Sequence, residues 1–117
     1  MAQLTAPGNL QTAQTGNADS TNTIIDGDQG RASAIRITST VGATPTVTVN
    51  IQGSIDGTTF YNIPYALVAA PSTFVLTAIT ITTAVTTFYL LQPTQSWNYV
   101  KLVMSANTNV TLTSDYF

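Results

Sequence analysis

The chain has 117 residues and a net charge of −2, from 3 basic and 5 acidic residues. Most proton-transfer, nucleophilic and metal chemistry uses Cys, His or Glu, and the sequence contains none of the three. We therefore predict that it is not an enzyme and has no catalytic residue, cofactor or metal site, and the lack of a basic patch argues against nucleic acid as a partner.

The N-terminal residues 1–23 are polar, and Leu4 and Leu10 are their large apolar side chains. Such a segment buries too little apolar surface to order itself. We predict an extended N-terminal arm over 1–23, which is either frayed or ordered on a neighbouring subunit. A single domain then covers residues 24–117.

From residue 24 onward the apolar residues recur with a period of two, which is typical of half-buried strands. Ile35 and Ile37 share one face of a first strand. Residues 46–55 form the clearest strand, in which the apolar face consists of Val47, Val49, Ile51 and Ile55. The dipeptide Asp56-Gly57 then predicts a tight hairpin turn, with 58–63 as the returning strand.

Further strands are predicted at 73–82, 84–91 and 97–105, where β-branched and aromatic residues are frequent. A turn at 107–109 is expected to lead into a last strand over 110–117, so that this pair forms a second hairpin. Seven or eight short strands with regular turns predict an all-β fold, an antiparallel β-sandwich of jelly-roll type.

The strand 97–105 has apolar side chains on both faces. Trp97, Tyr99 and Val103 lie on one face, and Val100, Leu102 and Met104 lie on the other. Such a strand is either central in a stacked sheet or located at a subunit interface. Trp97, Tyr99 and Val103 are therefore candidate interface residues, together with Leu4 and Leu10 of the arm.

The aromatic residues suggest an alternative, a sugar-stacking platform made of Tyr61, Tyr65 and Trp97. Aromatic side chains of small β domains also serve as core or interface residues. The sequence leaves both possibilities open.

Charged residues make up only 7% of the chain, whereas ordinary domains contain about 25%. A surface so poor in charge is suited to burial in partners, which favours an oligomer or a larger assembly. No apolar run reaches the ~18 residues of a membrane span, so no membrane partner is expected. The N-terminus lacks the pattern of a secretory signal, and we expect synthesis in a cytoplasm.

Two segments carry a family resemblance. Residues 51–60 (IQGSIDGTTF) and 97–103 (WNYVKLV), followed by a Thr-rich C-terminal segment, resemble small virion proteins of tailed bacteriophages. The resemblance is to capsid decoration (cement) proteins or head-fibre bases, and it covers roughly residues 46–117. No catalytic or metal-binding residue belongs to the family pattern.

The resemblance implies a homotrimer that binds the major capsid protein on the outer surface of the virion and stabilises the shell, with other virion surface proteins as further partners. Leu4, Leu10, Trp97, Tyr99 and Val103 would then contact the capsid or another subunit, and synthesis would take place in the host cytoplasm. The alternatives are a phage tail or fibre adhesin and a carbohydrate-binding β-sandwich module.

Overall fold

The computed structural model describes residues 8–20, 24–25, 34–92 and 97–117. These residues form eight β-strands and no helix, and all the strands belong to one antiparallel sheet. The all-β, antiparallel prediction is therefore confirmed for the described residues. The strands are β1 (Gly8–Gln14), β2 (Ile24–Ile25), β3 (Ala34–Ser54), β4 (Tyr61–Asn62), β5 (Tyr65–Leu67), β6 (Ile79–Ile81), β7 (Thr86–Leu91) and β8 (Tyr99–Tyr116).

The two longest strands, β3 and β8, form the centre of the sheet. They pair with each other over almost their whole length, from Ile35 opposite Tyr116 at one end to Ser54 opposite Tyr99 at the other. The two strands predicted at about 33–38 and 46–55 are thus parts of one strand. The Thr and β-branched residues that alternate along it favour extended backbone and provide an uncharged polar face.

The β3–β8 ladder bends in its middle. The register shifts between residues 41 and 48 of β3, and φ is positive at Thr44, Ala106 and Asn109. Such bulges insert unpaired residues into a strand and turn its direction. Each strand continues through the bend, so the predicted hairpin turn at 107–109 is wrong.

The side chain of Asn107 holds backbone groups at the bend of β8. Its Oδ1 accepts a hydrogen bond from the Val110 N–H at 3.1 Å, and its Nδ2 donates to the carbonyls of Val110 and Thr15. Asn109 Nδ2 donates to the Ala43 carbonyl at 2.6 Å, which connects the bend of β8 to that of β3. Asparagine thus satisfies backbone groups that the ladder leaves unpaired.

The apolar face of the ladder is buried in one core. Every second residue from Val47 to Ile51 is buried, as are the facing side chains of Val100, Leu102 and Met104. The predicted apolar face is confirmed at three of its four positions. The same cluster includes side chains from the other half of the ladder, namely Ile35, Ile37, Val110 and Leu112.

The N-terminal segment runs along the free side of β8. Its strand β1 pairs with residues 112–116, and β2 pairs with Tyr99 and Val100. Between these strands the Ser20 N–H donates to the Leu102 carbonyl at 2.7 Å. The segment therefore supplies the second set of backbone partners that a central strand requires.

This arrangement corrects the predicted arm for the residues that are described. Residues 8–20 are not separate from the domain, because β1 belongs to the sheet and Leu10 is completely buried in the core. Gln11 is also completely buried. A polar composition did not prevent ordering, since one leucine and a row of backbone hydrogen bonds fix the segment. Residues 1–7 and 21–23 of the predicted arm lie outside the described residues.

The other side of β3 is covered by short strands. β7 pairs with residues 34–38, β6 with 47–49 and β4 with 52–53. β5 pairs with β7 and ends the path of the sheet. The sheet therefore has the N-terminal segment at one edge and β5 at the opposite edge.

The predicted hairpin at Asp56-Gly57 exists, but its loop is wider than a two-residue turn. β3 ends at Ser54 and β4 begins at Tyr61, and φ is positive only at Gly57 within this loop. Ile55 is 68% exposed, so its assignment to the buried face is wrong. The strands predicted at 73–82 and 84–91 are shorter in the structure than predicted. They correspond to β6 (Ile79–Ile81) and β7 (Thr86–Leu91).

Candidate interaction surface

An exposed apolar patch lies at the edge of the sheet that β5 forms. Leu67, Val68, Val75 and Leu76 are all exposed there, Val68 by 58% and Leu76 by 65%. We call these four residues the edge patch. Exposed apolar side chains that are neighbours in space commonly mark an interaction site.

The connection that carries the edge patch is held by its own backbone hydrogen bonds. Tyr65 and Val75 exchange two N–H···O=C bonds, of 3.1 and 2.9 Å. Between them the Ala70 N–H donates to the Leu67 carbonyl, and the Thr73 N–H donates to the Ala70 carbonyl. The patch is therefore presented on a closed loop, and the outer backbone groups of Tyr65 are already paired.

An open hollow of about 330 Å³ lies beside the edge patch. Its lining includes Tyr65, Leu67, Val75, Ile79 and Tyr89. The two tyrosine rings pack edge to face, with their centroids 5.3 Å apart, and burial raises the pKa of both phenols. The hollow thus combines apolar walls with hydroxyl groups that stay neutral at physiological pH.

The two basic side chains among the described residues lie elsewhere, and each is paired with a carboxylate of the chain. Arg36 Nη2 lies 2.9 Å from Asp115 Oδ2, and the guanidinium lies 5.0 Å from the Phe117 ring centre. Burial acts to raise the pKa of Asp115, but hydrogen bonds from Arg36 and Asn9 outweigh it, so this pKa is lowered. This pair joins β3 to β8.

The second ion pair joins β8 to the N-terminal segment. Lys101 Nζ lies 2.6 Å from Asp19 Oδ2 and 4.0 Å from the centre of the Phe60 ring. Lys101 and Arg36 are the basic residues of the described part of the chain, and each already contacts a carboxylate and an aromatic ring. Neither is a free cation for a partner.

The carboxylate of Asp56 is used inside the loop that follows β3. It accepts hydrogen bonds from the backbone N–H groups of Thr59 and Thr58 and from the Ser54 hydroxyl. These bonds lower the pKa of Asp56, with the Thr59 N–H as the largest cause. The group therefore shapes a turn.

The sequence contains a signal for the edge patch that the strand pattern does not show. From Gly57 to Val100 there is no charged residue, and this stretch carries all four patch residues and the walls of the hollow. The length of this uncharged stretch could have located the surface. Periodicity could not, because the patch residues lie around a loop rather than along one face of a strand.

The predicted interface residues lie in different parts of the structure. Leu10 is in the core and offers no surface to a partner, and Leu4 lies outside the described residues. Trp97 is half-buried and its indole packs against Gly53, while the Tyr99 ring packs against Gly57. Val103 is half-buried and forms a bridge with Asp19. These side chains do not form one exposed surface.

The three residues of the predicted sugar platform are only partly brought together. Tyr61 is exposed and lies opposite Gly53 in the β3–β4 pairing, while Trp97 packs on the same glycine. Tyr65 instead contacts Tyr89 in the wall of the hollow. Tyr61 and Trp97 are therefore neighbours around Gly53, and Tyr65 belongs to the surface at the β5 edge.

Two further features of the described residues bear on the kind of site. They contain no group of three or more acidic, His or Cys side chains that could hold a metal ion. Within the same residues there is no helix long and apolar enough to cross a membrane.

Comparison of the chain with protein-family models, with curated proteins and with solved structures gave no match in any of the three. The function is therefore argued from the residues and surfaces described above.

Proposed function

We propose that this chain is a non-catalytic decoration (cement) protein of a bacteriophage virion, which binds the major capsid protein on the outer shell as a homotrimer. The observation that carries the proposal is the edge patch, an exposed apolar surface in a stretch of chain without charged residues. Such a surface is suited to permanent burial in an assembly. The resemblance of residues 51–60 and 97–103 to virion proteins supports the same role.

The state of the carboxylates supports a role without catalysis. Asp19, Asp56 and Asp115 each accept hydrogen bonds from fixed partners within the chain. The lowered pKa values of Asp56 and Asp115 make both groups weak bases at neutral pH. The raised pKa values of Tyr65 and Tyr89 likewise make these phenols weak acids.

We also propose that the bend of the ladder folds its two halves onto each other, which gives the jelly-roll-like sandwich. Gln11 Nε2 lies 3.8 Å from Met104 Sδ, although Gln11 pairs with Ser114 and Met104 pairs with Val49. The contact therefore bridges the two halves. Nuclear Overhauser contacts between the Met104 methyl group and Leu112 would support the sandwich, and their absence would contradict it.

The mechanism of such a protein is mechanical. A trimer presents three copies of each contact to the shell, so several weak contacts add up to firm attachment. Uncharged surfaces attach through burial and hydrogen bonding, and this attachment resists changes in salt. Protein bound across neighbouring capsid subunits would hold them together against the pressure of the packaged genome.

The proposed function can be tested by comparing the stability of shells that carry the protein with that of shells that lack it. Shells are assembled with or without it and then exposed to heat and to osmotic shock. We expect decorated shells to retain their DNA under conditions in which bare shells release it. Equal release from both kinds of particle would show that the protein does not stabilise the shell.

A sugar-binding role is the second candidate, because Tyr61 is exposed beside Trp97. Aromatic rings of this kind can stack on sugars. Tyr61→Ala is the informative variant, since Trp97 contributes to packing on Gly53 and its removal would disturb the fold. Glycan-array binding that disappears in folded Tyr61→Ala protein would favour the sugar-binding role over decoration.

A further inference from the structure

We propose that Asp56-Gly57 is a site of spontaneous covalent modification, the formation of isoaspartate, and that Ser54 is the positioning residue that keeps it unreacted in the folded chain. The inference concerns the loop between β3 and β4 and does not depend on the decoration role proposed above. It rests on the sequence of the dipeptide and on the hydrogen bonds that hold its two reacting groups.

The reaction needs only the dipeptide and water. The Gly57 nitrogen forms a bond to Cγ of the protonated Asp56 side chain, and the N–H proton and the carboxyl hydroxyl leave together as water, which closes a succinimide ring. Water then opens the ring. Cleavage of the N–Cγ bond restores aspartate, whereas cleavage at the backbone carbonyl leaves Gly57 attached through the side chain. The product has the same mass and one more carbon atom in its backbone.

Glycine makes this dipeptide reactive wherever the chain is free to move. A residue without a Cβ atom does not hinder the approach of its own nitrogen to the preceding side chain, and its backbone reaches angles that other residues avoid. The sequence contains two Asp-Gly dipeptides, at 26–27 and 56–57, and the second lies within the described residues. Whether residues 56–57 react therefore depends on how the fold holds them.

The nucleophile, the Gly57 nitrogen, is held by Ser54. Its N–H donates to Ser54 Oγ at 2.9 Å, and Ser54 is completely buried. The Tyr99 ring packs against the same glycine, so closely that a Cβ atom there would lie 3.0 Å from Tyr99 Cε1. Attack on Cγ would break the bond to a hydroxyl that solvent does not reach, which is costly. The fold therefore opposes the movement that ring closure requires.

The electrophile, the carboxyl group of Asp56, is held by the same hydroxyl. Asp56 Oδ1 accepts hydrogen bonds from Ser54 Oγ at 3.0 Å and from the N–H groups of Thr58 and Thr59 at 2.8 and 3.0 Å. These bonds favour the carboxylate and lower the pKa of Asp56, with the Thr59 N–H as the largest cause. Because ring closure expels the hydroxyl of the acid form, the lowered pKa leaves less reactive acid at neutral pH. Ser54 Oγ thus contacts both reacting groups.

Isomerisation is measured in the folded parent protein, in the Ser54→Ala variant and in a free peptide of residues 51–60, all kept at neutral pH. An endoprotease that cleaves before aspartate but not before isoaspartate reports the fraction converted at residue 56, separately from residue 26. We expect the folded parent to react about tenfold or more slowly than the peptide, and Ser54→Ala about tenfold faster than the parent, as the loss of a hydrogen bond to a charged group allows. The comparison of parent with peptide holds even if the variant does not fold.

Asn98→Ala is the matched control. It removes the 3.0 Å bond from Asn98 Nδ2 to the Ile55 carbonyl in the same loop and leaves Ser54 in place. It should react as slowly as the parent. The pKa of Asp56, followed by nuclear magnetic resonance, separates positioning from loss of stability, because only Ser54→Ala removes a bond that lowers it. We expect this pKa to rise in Ser54→Ala and to stay unchanged in Asn98→Ala.

Two results would overturn the inference. Equal rates in the folded parent and the free peptide would show that the fold does not protect Asp56-Gly57. A folded Ser54→Ala variant that reacts no faster than the parent, or no faster than Asn98→Ala, would show that Ser54 is not the residue that holds the reacting groups. Neither result bears on whether the chain stabilises a shell.

Discussion

Gly53 is the residue on which the indole of Trp97 rests. A Cβ atom at this position would lie 2.7 Å from Trp97 Cδ2, 2.8 Å from Cγ and 3.0 Å from Ile63 Cγ2. Cγ can move away only if χ1 rotates and carries the whole indole with it, and Ile63 is itself buried. A methyl group therefore has no space at Gly53.

We expect Gly53→Ala to lower the free energy of unfolding by about 1–3 kcal/mol, as overpacked cores do. Urea unfolding followed by the fluorescence of Trp97, the single tryptophan, measures the change. Gly16→Ala is the control, because a Cβ atom there meets nothing within 4 Å. Equal midpoints for the two variants would show that the indole does not pack as described.

Two carboxyl groups make stability depend on pH. The pKa values of Asp56 and Asp115 in the folded protein are lowered from the usual 3.8. A lowered pKa contributes stability that is present above the unfolded-state pKa and is lost as pH falls through the folded-state pKa. We therefore expect the free energy of unfolding to decrease below about pH 4.

Urea unfolding between about pH 7 and pH 3 measures this dependence. The double variant Asp56→Asn, Asp115→Asn should lose part of the decrease, because asparagine does not titrate and still offers an acceptor oxygen. An unchanged slope in the double variant would assign the acid sensitivity to other carboxyl groups.

At the scale of elements, the bend of β8 depends on Asn107. Its side chain makes three hydrogen bonds with backbone groups of Thr15 and Val110. Asn107→Ala should lower the free energy of unfolding by about 1–3 kcal/mol, since the part-buried N–H and C=O groups of Val110 lose their partners. Asn98→Ala removes one exposed bond, to the Ile55 carbonyl, and should change stability by less than about 0.5 kcal/mol.

Chemical denaturation of both asparagine variants provides the comparison. A result in which Asn98→Ala costs as much as Asn107→Ala would mean that the bend is held by packing rather than by this side chain.

The alternation of apolar residues in β3 was readable from the sequence, because burial of one face leaves a period of two at Val47, Val49 and Ile51. The conformation of residues 107–109 could not be predicted from the sequence, since asparagines occur both in turns and in bulges. Only the pairing partner decides between them, and here both halves of β8 pair with the distant β3. The burial of Leu10 likewise depends on a strand about a hundred residues away, next to Leu112 and its neighbours.

At the scale of the whole molecule, low charge predicts an assembly that is insensitive to salt. The basic groups of the described residues are paired within the chain, and the edge patch is uncharged. We expect the mass of the proposed trimer to stay constant between about 0.05 and 1 M sodium chloride, since screening acts only on charges. Sulfate should strengthen association by favouring burial of apolar surface.

Light scattering across the salt series measures the mass. Dissociation in sodium chloride would show that ion pairs hold the copies together. The low charge itself was evident from composition, and it indicated an assembly without locating the surface. The patch could not be found by strand reasoning, because it depends on how the 67–76 loop closes on Tyr65.

The pairing of β3 with β8 also fixes the order in which the chain can mature. β3 is made early in synthesis, yet its main partner is residues 99–116, and Ile35 pairs with Tyr116. Until those residues have been made, β4, β6 and β7 are the strands of the described residues that can pair with β3, and its other edge stays open. Pairing between such distant segments is slow and leaves strand edges exposed to other chains. The sheet therefore cannot close until β8 has been synthesised, and until then the open edge of β3 is accessible to other chains.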